Sequence, residues 1–194
     1  MTGSEAPGAR PGVTRRHVVQ GAAALATVAA LAGLPSSVRK ALTRDTGFVL
    51  FSDAQRETVT AVQDHLFPQG MASPGAADVN AMRYLEWAIT APGVDADGRN
   101  TIVNGIGPLN DASRERFSAA FEGLNIEQRE TLLRYLADNT RWGEAWLSLM
   151  LYYIFEALLS DPVYGGNSGE IGWKWLGHQP GFPRPPRDKI YGKL

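Results

Sequence analysis

The side chains able to do chemistry in this sequence are few and poorly spaced for it. Histidine occurs at positions 17, 65 and 178, and cysteine is absent. The chain therefore forms no disulfide, offers no thiol nucleophile and builds no thiolate zinc or iron–sulfur site. His65 follows Asp64 in a helical stretch. Adjacent helical residues face different directions, so His65 reads as a surface or capped side chain. Glu144 and Glu156 stand twelve residues apart; at about 100° per residue they diverge by roughly 120° and cannot close on one ion. No Glu-x-x-His pair for a helical di-iron site is present. Gly165, Gly166 and Gly169 invite comparison with a phosphate-cradling loop, yet no strand leads into them and no Lys-Ser or Lys-Thr closes the motif. The plainer expectation there is a turn with Asn167 in the left-handed conformation. Ser168 lacks the G-x-S-x-G frame of a hydrolase elbow. An enzyme acting alone would need an acid–base pair that these residues do not supply.

The elements that carry these residues read as helices. A chain of 194 residues with 44% hydrophobic content supports one core plus extensions. Its formal charge of -1 gives no field to gather nucleic acid, which is not an expected partner. Ser52 with Gln55, and Asn125 with Gln128, are capping-box signatures. The first opens a helix through Val59, Val62 and Leu66 that Pro68 ends. Val79, Met82, Leu85 and Ile89 mark a second helix, ending before Pro92, with Trp87 off its apolar stripe. Residues 95–109 predict a third, weakened in its second half by Gly105, Gly107 and Pro108. Phe117, Phe121 and Leu124 precede the helix of Leu132, Leu133 and Leu136 as core plugs. From Gly143 to Ser160 the chain is apolar on most sides, which predicts a buried central helix. Its uncharged part is too short to span a bilayer, where about 20 residues are required. Period-two runs are scarce, so the expected fold class is all-α, a single small domain of about five helices over residues 48–160.

Both ends differ from this body. Arg15 and Arg16 precede a mildly apolar run from Gly21 to Leu34, and the layout resembles a twin-arginine export signal. Residues 1–34 thus read as an export segment, with Ala30, Leu31 and Ala32 as the best small-x-small triplet for cleavage, and residues 35–47 as a linker. That route carries folded cargo. At the other end, residues 161–194 hold seven Gly and five Pro, interleaved with Tyr164, Trp173, Trp175, Phe182 and Tyr191. Such a backbone cannot regularise over a long stretch, yet disordered linkers seldom carry so many aromatics. The segment is expected to dock on a preformed surface, its own helices or a partner's. Tyr164, Gly165, Gly166, Asn167, Trp173, Trp175, His178 and Phe182 are the expected interface.

Three stretches in order bring a family to mind. Asp64, His65, Leu66, Phe67, Pro68 with Ser73, Pro74, Gly75, Ala76 resembles the Asp-x-x-x-Pro and Pro-Gly-Ala opening of the gluconate 2-dehydrogenase subunit 3 family. Tyr164, Gly165, Gly166, Asn167 resembles its Tyr-Gly-Gly-Asn turn after a long apolar helix, and Gly172, Trp173 through Gly177 is similar to its Gly-Trp-x-x-x-Gly close. The resemblance implies a noncatalytic small subunit of a periplasmic flavin-dependent dehydrogenase of sugars, sugar acids or alcohols. It implies FAD in a large partner subunit of the glucose–methanol–choline type, haem or iron–sulfur only in other subunits such as a cytochrome c, no cofactor or catalytic residue in this chain, and passage with the partner through the twin-arginine translocase. The alternative is a free-standing exported helical protein holding a small ligand among Trp142, Trp146, Tyr152 and Tyr153.

Overall fold

Ser52 and Asn125 each do what their spacing to a glutamine predicts. Ser52 Oγ accepts from the Gln55 backbone N–H at 3.2 Å while Gln55 Oε1 accepts from Ser52 N–H at 2.9 Å. Asn125 and Gln128 repeat the exchange at 2.9 and 3.1 Å. Each reciprocal pair satisfies two of the amides that a helix start leaves open. They begin α1 (Asp53–Leu66) and α4 (Ile126–Asn139). The computed structural model describes residues 51–91 and 96–189, all within one compact unit, Phe48–Leu194. The expected export segment 1–34, with Arg15 and Arg16, and the linker 35–47 lie outside the described residues.

Between the two capped helices run α2 (Ala81–Thr90) and α3 (Ala96–Phe117). The third helix is longer than its sequence suggests, passing through Gly105, Gly107 and Pro108 to end at Phe117. Tertiary packing explains this. Ile102, Ile106 and Leu109 are fully or almost fully buried, and the Trp146 indole lies against Gly105, donating from Nε1 to the Ile102 carbonyl at 3.0 Å. That contact and the buried face outweigh the roughly 1 kcal/mol propensity cost of each glycine. A 3-10 turn, Phe121–Gly123, follows, placing Phe121 and Leu124 in the core and leaving Phe117 half-buried.

Helix α5 (Arg141–Leu159) starts at Thr140, whose Oγ1 accepts from the Gly143 amide at 3.0 Å. It touches every other helix. Its inward side buries Trp146, Leu147, Met150, Ile154 and Leu158 against α1 through α4; each such side chain contributes about 1.5–3 kcal/mol by leaving water. The expected all-round burial of this helix is not what the chain achieves. Its five neighbours leave one side open, and Tyr152, Phe155 and Leu159 stand about half exposed there. The architecture is all-α, with six α-helices, three 3-10 turns and no strand among the described residues. No helix there is long and apolar enough to cross a membrane.

Candidate functional site

The C-terminal segment is built from turns that glycine and asparagine permit. Asp161 Oδ1 accepts from the Val163 amide at 2.9 Å and starts the 3-10 turn Pro162–Tyr164. Gly165 follows at φ 97°, a left-handed conformation that favours glycine. Asn167 sits at φ 45°, ψ 48°, the left-handed turn residue its sequence predicts. It is fully buried. Its Nδ2 donates to the Ser160 carbonyl at 3.0 Å and its Oδ1 accepts from the Gly172 amide at 2.8 Å, while its own amide donates to the Val79 carbonyl at 2.9 Å. One residue thus ties the end of α5, the approach to α2 and the start of the last helix.

That last helix is α6 (Ile171–Leu176), six residues closed by Gly177 at φ 65°. Gly172 has no room for a side chain, since a Cβ there would lie 2.3 Å from the Leu158 carbonyl oxygen. The close approach brings Trp173 down to 5% exposure, with its Nε1 donating to the Leu159 carbonyl at 2.8 Å. Arg184 then folds over it. Its guanidinium lies 5.1 Å from the Trp173 ring, with Nε 2.8 Å from Asp161 and Nη1 2.5 Å from Glu170. The Tyr164 ring lies against Trp87 at 4.8 Å, tilted by 44°, and Trp87 against Tyr84 at 5.5 Å, tilted by 49°, so Trp87 receives the tail of its own chain.

The eight residues expected at an interface therefore divide. Gly166, Asn167 and Trp173 are buried inside the chain, and Tyr164 and Gly165 are partly covered; Trp175, His178 and Phe182 are exposed. The His178 ring stands 5.7 Å from Trp173. The sequence suggests Tyr152 only as a ligand-pocket residue and gives Phe155 and Leu159 no role at a surface. Their signal is positional: on the outward stripe of α5, where polar residues belong, these three stand instead.

The remaining candidates also have places. His65 Nε2 lies 2.9 Å from Glu130, bridging α1 to α4. Hydrogen bonds from His65, then from Arg134, hold the Glu130 carboxyl below its ordinary range. Glu144 lines the same shallow groove as His65, whereas Glu156 faces Tyr84, which donates to it at 3.2 Å. Burial first, then the Glu156 charge, pushes the Tyr84 phenol well above its usual range. The two glutamates do not converge, and no group of three potential metal ligands occurs among the described residues. The four aromatics considered for a ligand pocket do not share one cavity. Trp142 and Trp146 line a groove of about 500 Å³ beside Gly105 and Pro108, Tyr152 lines another of about 400 Å³ with Tyr84 and Phe155, and Tyr153 is buried in the core.

The Asp161–Arg184 contact sets a pH dependence for tail docking. Burial alone would raise the Asp161 carboxyl, but the Arg184 hydrogen bond and the Val163 amide more than offset it, and its pKa falls below the ordinary value. A carboxyl with a depressed folded pKa contributes stability that is present above its unfolded value, near pH 4, and lost as pH falls through the folded one. Acid titration from pH 7 to 3 is expected to expose Trp173 before the helices melt, read by fluorescence emission against far-ultraviolet circular dichroism. Asp161→Asn is expected to flatten that early step. An unchanged step in the variant would assign it elsewhere.

Against curated proteins no match is found, and none against solved structures. The family model described as gluconate 2-dehydrogenase subunit 3 matches residues 53–181, from the first residue of α1 to just beyond the aromatic close of α6. The match covers about two thirds of the chain and contains all three stretches that carry the resemblance, so the chain belongs to the gluconate 2-dehydrogenase subunit 3 family.

Proposed function

We propose that the chain is the noncatalytic small subunit of a periplasmic flavin-dependent dehydrogenase acting on a sugar, sugar acid or other alcohol. In this reading FAD resides in a large subunit of the glucose–methanol–choline type, and any haem or iron–sulfur group in a further chain such as a cytochrome c. The small subunit acts as a scaffold, and as an escort that takes the folded large subunit through the twin-arginine translocase. The observation that carries the proposal is family membership over residues 53–181. Two features of the chain support it. The paired Arg15 and Arg16 stand ahead of an apolar run, the layout of an export address for folded cargo. Within the body, His65 and Tyr84 join helix to helix through Glu130 and Glu156, which suits a scaffold.

The test is co-expression of this chain with the flavin-dependent dehydrogenase subunit of the same genome, in wild-type form and as Arg15→Lys with Arg16→Lys. Dehydrogenase activity and the large chain are then measured in periplasmic and cytoplasmic fractions. The double variant is expected to leave at least about nine tenths of the large chain in the cytoplasm, active and loaded with flavin, because the twin arginines are the address on which the pair travels. Undiminished export would remove the escort role.

A further inference from the structure

The outward side of α5 ends in the wrong kind of residue for a surface. Its exposed positions over the last three turns are Ser148, Tyr152, Phe155 and Leu159, a single helical stripe. Tyr152 is 54% exposed, Phe155 48% and Leu159 54%. The apolar surface continues onto the tail through Phe67 at the end of α1, whose ring lies 6.4 Å from Phe155 and 6.4 Å from Trp175. Trp175 and Leu176 are 44% and 48% exposed. Half-open side chains of this size present on the order of 500 Å² together, the extent of the largest and often functional patch on a monomer. Tyr135, Trp142 and Ile126 are the exposed large side chains of α4 and the start of α5; they do not lie on this stripe.

Among the described residues, the chain's own tail does not close over the patch. After Gly177 it turns back, and Arg184 is held by Asp161 and Glu170 over the Trp173 ring. Trp175, two residues from Trp173, is left open. The stripe itself carries no charged residue, and the one carboxylate beside it, Glu156, is engaged by the hydroxyls of Tyr84 and Tyr152. Aromatic density, a charge-free centre and a polar rim are the anatomy of a protein–protein interface. A lipid surface would call for a basic rim; this rim carries the acid Glu156 on α5 and a single base, Lys174 beside Trp175, whose Nζ donates to the Gly169 carbonyl at 2.7 Å.

We infer that the face formed by Tyr152, Phe155, Leu159, Trp175 and Leu176 is the surface on which the catalytic subunit of the dehydrogenase docks, through an uncharged apolar patch of its own. The inference rests on the small-subunit reading and on membership in a family of dehydrogenase subunits, which supplies the partner polypeptide. It moves the centre of the interface from the Tyr-Gly-Gly-Asn turn to the C-terminal half of α5. Trp175 is where the two surfaces meet.

Tagged full-length chain, co-expressed with the flavin-dependent dehydrogenase subunit of the same genome, provides the test. Wild type is expected to retain that subunit on affinity capture. Tyr152→Asp and Phe155→Asp are each expected to cut the retained amount about tenfold or more, the scale of a buried aromatic anchor. Ile126→Asp, at a 76% exposed site on α4, is expected to leave capture unchanged. Circular dichroism and thermal melting establish that the variants fold; should an aspartate variant not fold, Tyr152→Ser and Leu159→Ser test the same face with less disturbance. If wild type fails to capture the dehydrogenase subunit, the small-subunit reading falls and this inference with it. If wild type captures it and the folded variants do so equally well, the inference alone is overturned. Binding of the isolated chain to phosphatidylcholine–phosphatidylglycerol vesicles that Phe155→Asp abolishes, with capture unchanged, would give the face to lipid. A dimer of the isolated chain dissolved by Phe155→Asp, again with capture unchanged, would give it to a second copy. Either result overturns the proposal.

Discussion

Gly105→Ala is expected to destabilise the fold by about 3 kcal/mol, although alanine is the better helix former. A Cβ on residue 105 would lie 2.2 Å from Trp146 Cδ1 and 2.3 Å from Nε1. The indole cannot retreat cheaply. It is 1% exposed and anchored by its bond to the Ile102 carbonyl one turn earlier on α3. Relieving the overlap means parting α3 from α5 or breaking that bond. Overpacking costs about 1–3 kcal/mol and an orphaned buried donor about 1–3 kcal/mol more, against roughly 1 kcal/mol regained from helix propensity. Urea denaturation should give the loss directly, and the melting temperature should fall by roughly 10 °C. A double-mutant cycle identifies the cause. In a Trp146→Ala background the same Gly105→Ala change should become neutral or stabilising, by up to about 1 kcal/mol. Equal cost in both backgrounds would mean that the indole is not what the glycine makes room for.

The same pair shows where the sequence is legible and where it is not. Helix starts are written locally: Ser52 with Gln55 and Asn125 with Gln128 are three residues apart, and both boxes form. The left-handed Asn167 is local too, because a short side chain beside Gly165 and Gly166 makes that turn inexpensive. The length of α3 is not local. Read alone, Gly105, Gly107 and Pro108 argue for an end; what carries the helix on is the contact of Gly105 with Trp146, forty-one residues later. Coverage of α5 is likewise a tertiary property. Composition tells that Tyr152, Phe155 and Leu159 are apolar, but their exposure follows from how the five other helices are arranged around α5. The tail's aromatics divide for the same reason. Trp173 and Trp175 are equal as symbols, and only the packing of Gly172 onto Leu158 determines which of them goes inside.

Asn167→Ala is expected to cost about 3–4 kcal/mol, the larger part from groups it would leave behind. Asn167 is fully buried, so removing its amide strands the Ser160 carbonyl and the Gly172 N–H away from water; an unpaired buried group costs about 1–3 kcal/mol. A left-handed alanine adds about 1 kcal/mol. The two contributions separate experimentally. Asn167→Gly loses the same hydrogen bonds without the backbone strain and should be about 1 kcal/mol less destabilised than Asn167→Ala in urea titrations. Asn167→Asp can still accept from the Gly172 amide but places a carboxylate against the Ser160 carbonyl where a donor stood. Its destabilisation should shrink as the pH is lowered toward 4, since a protonated carboxyl can donate. Because Asn167 joins the end of α5 to α6, the effect should reach the surface as well: Trp173 fluorescence should report an undocked tail, and with it the Trp175 end of the docking face should lose its fixed position beside Phe67 and Phe155. Asn167→Ala would then weaken capture of the catalytic subunit while α1 through α5 keep their helical signal. A variant that melts like wild type would show that Asn167 is not what holds the tail down.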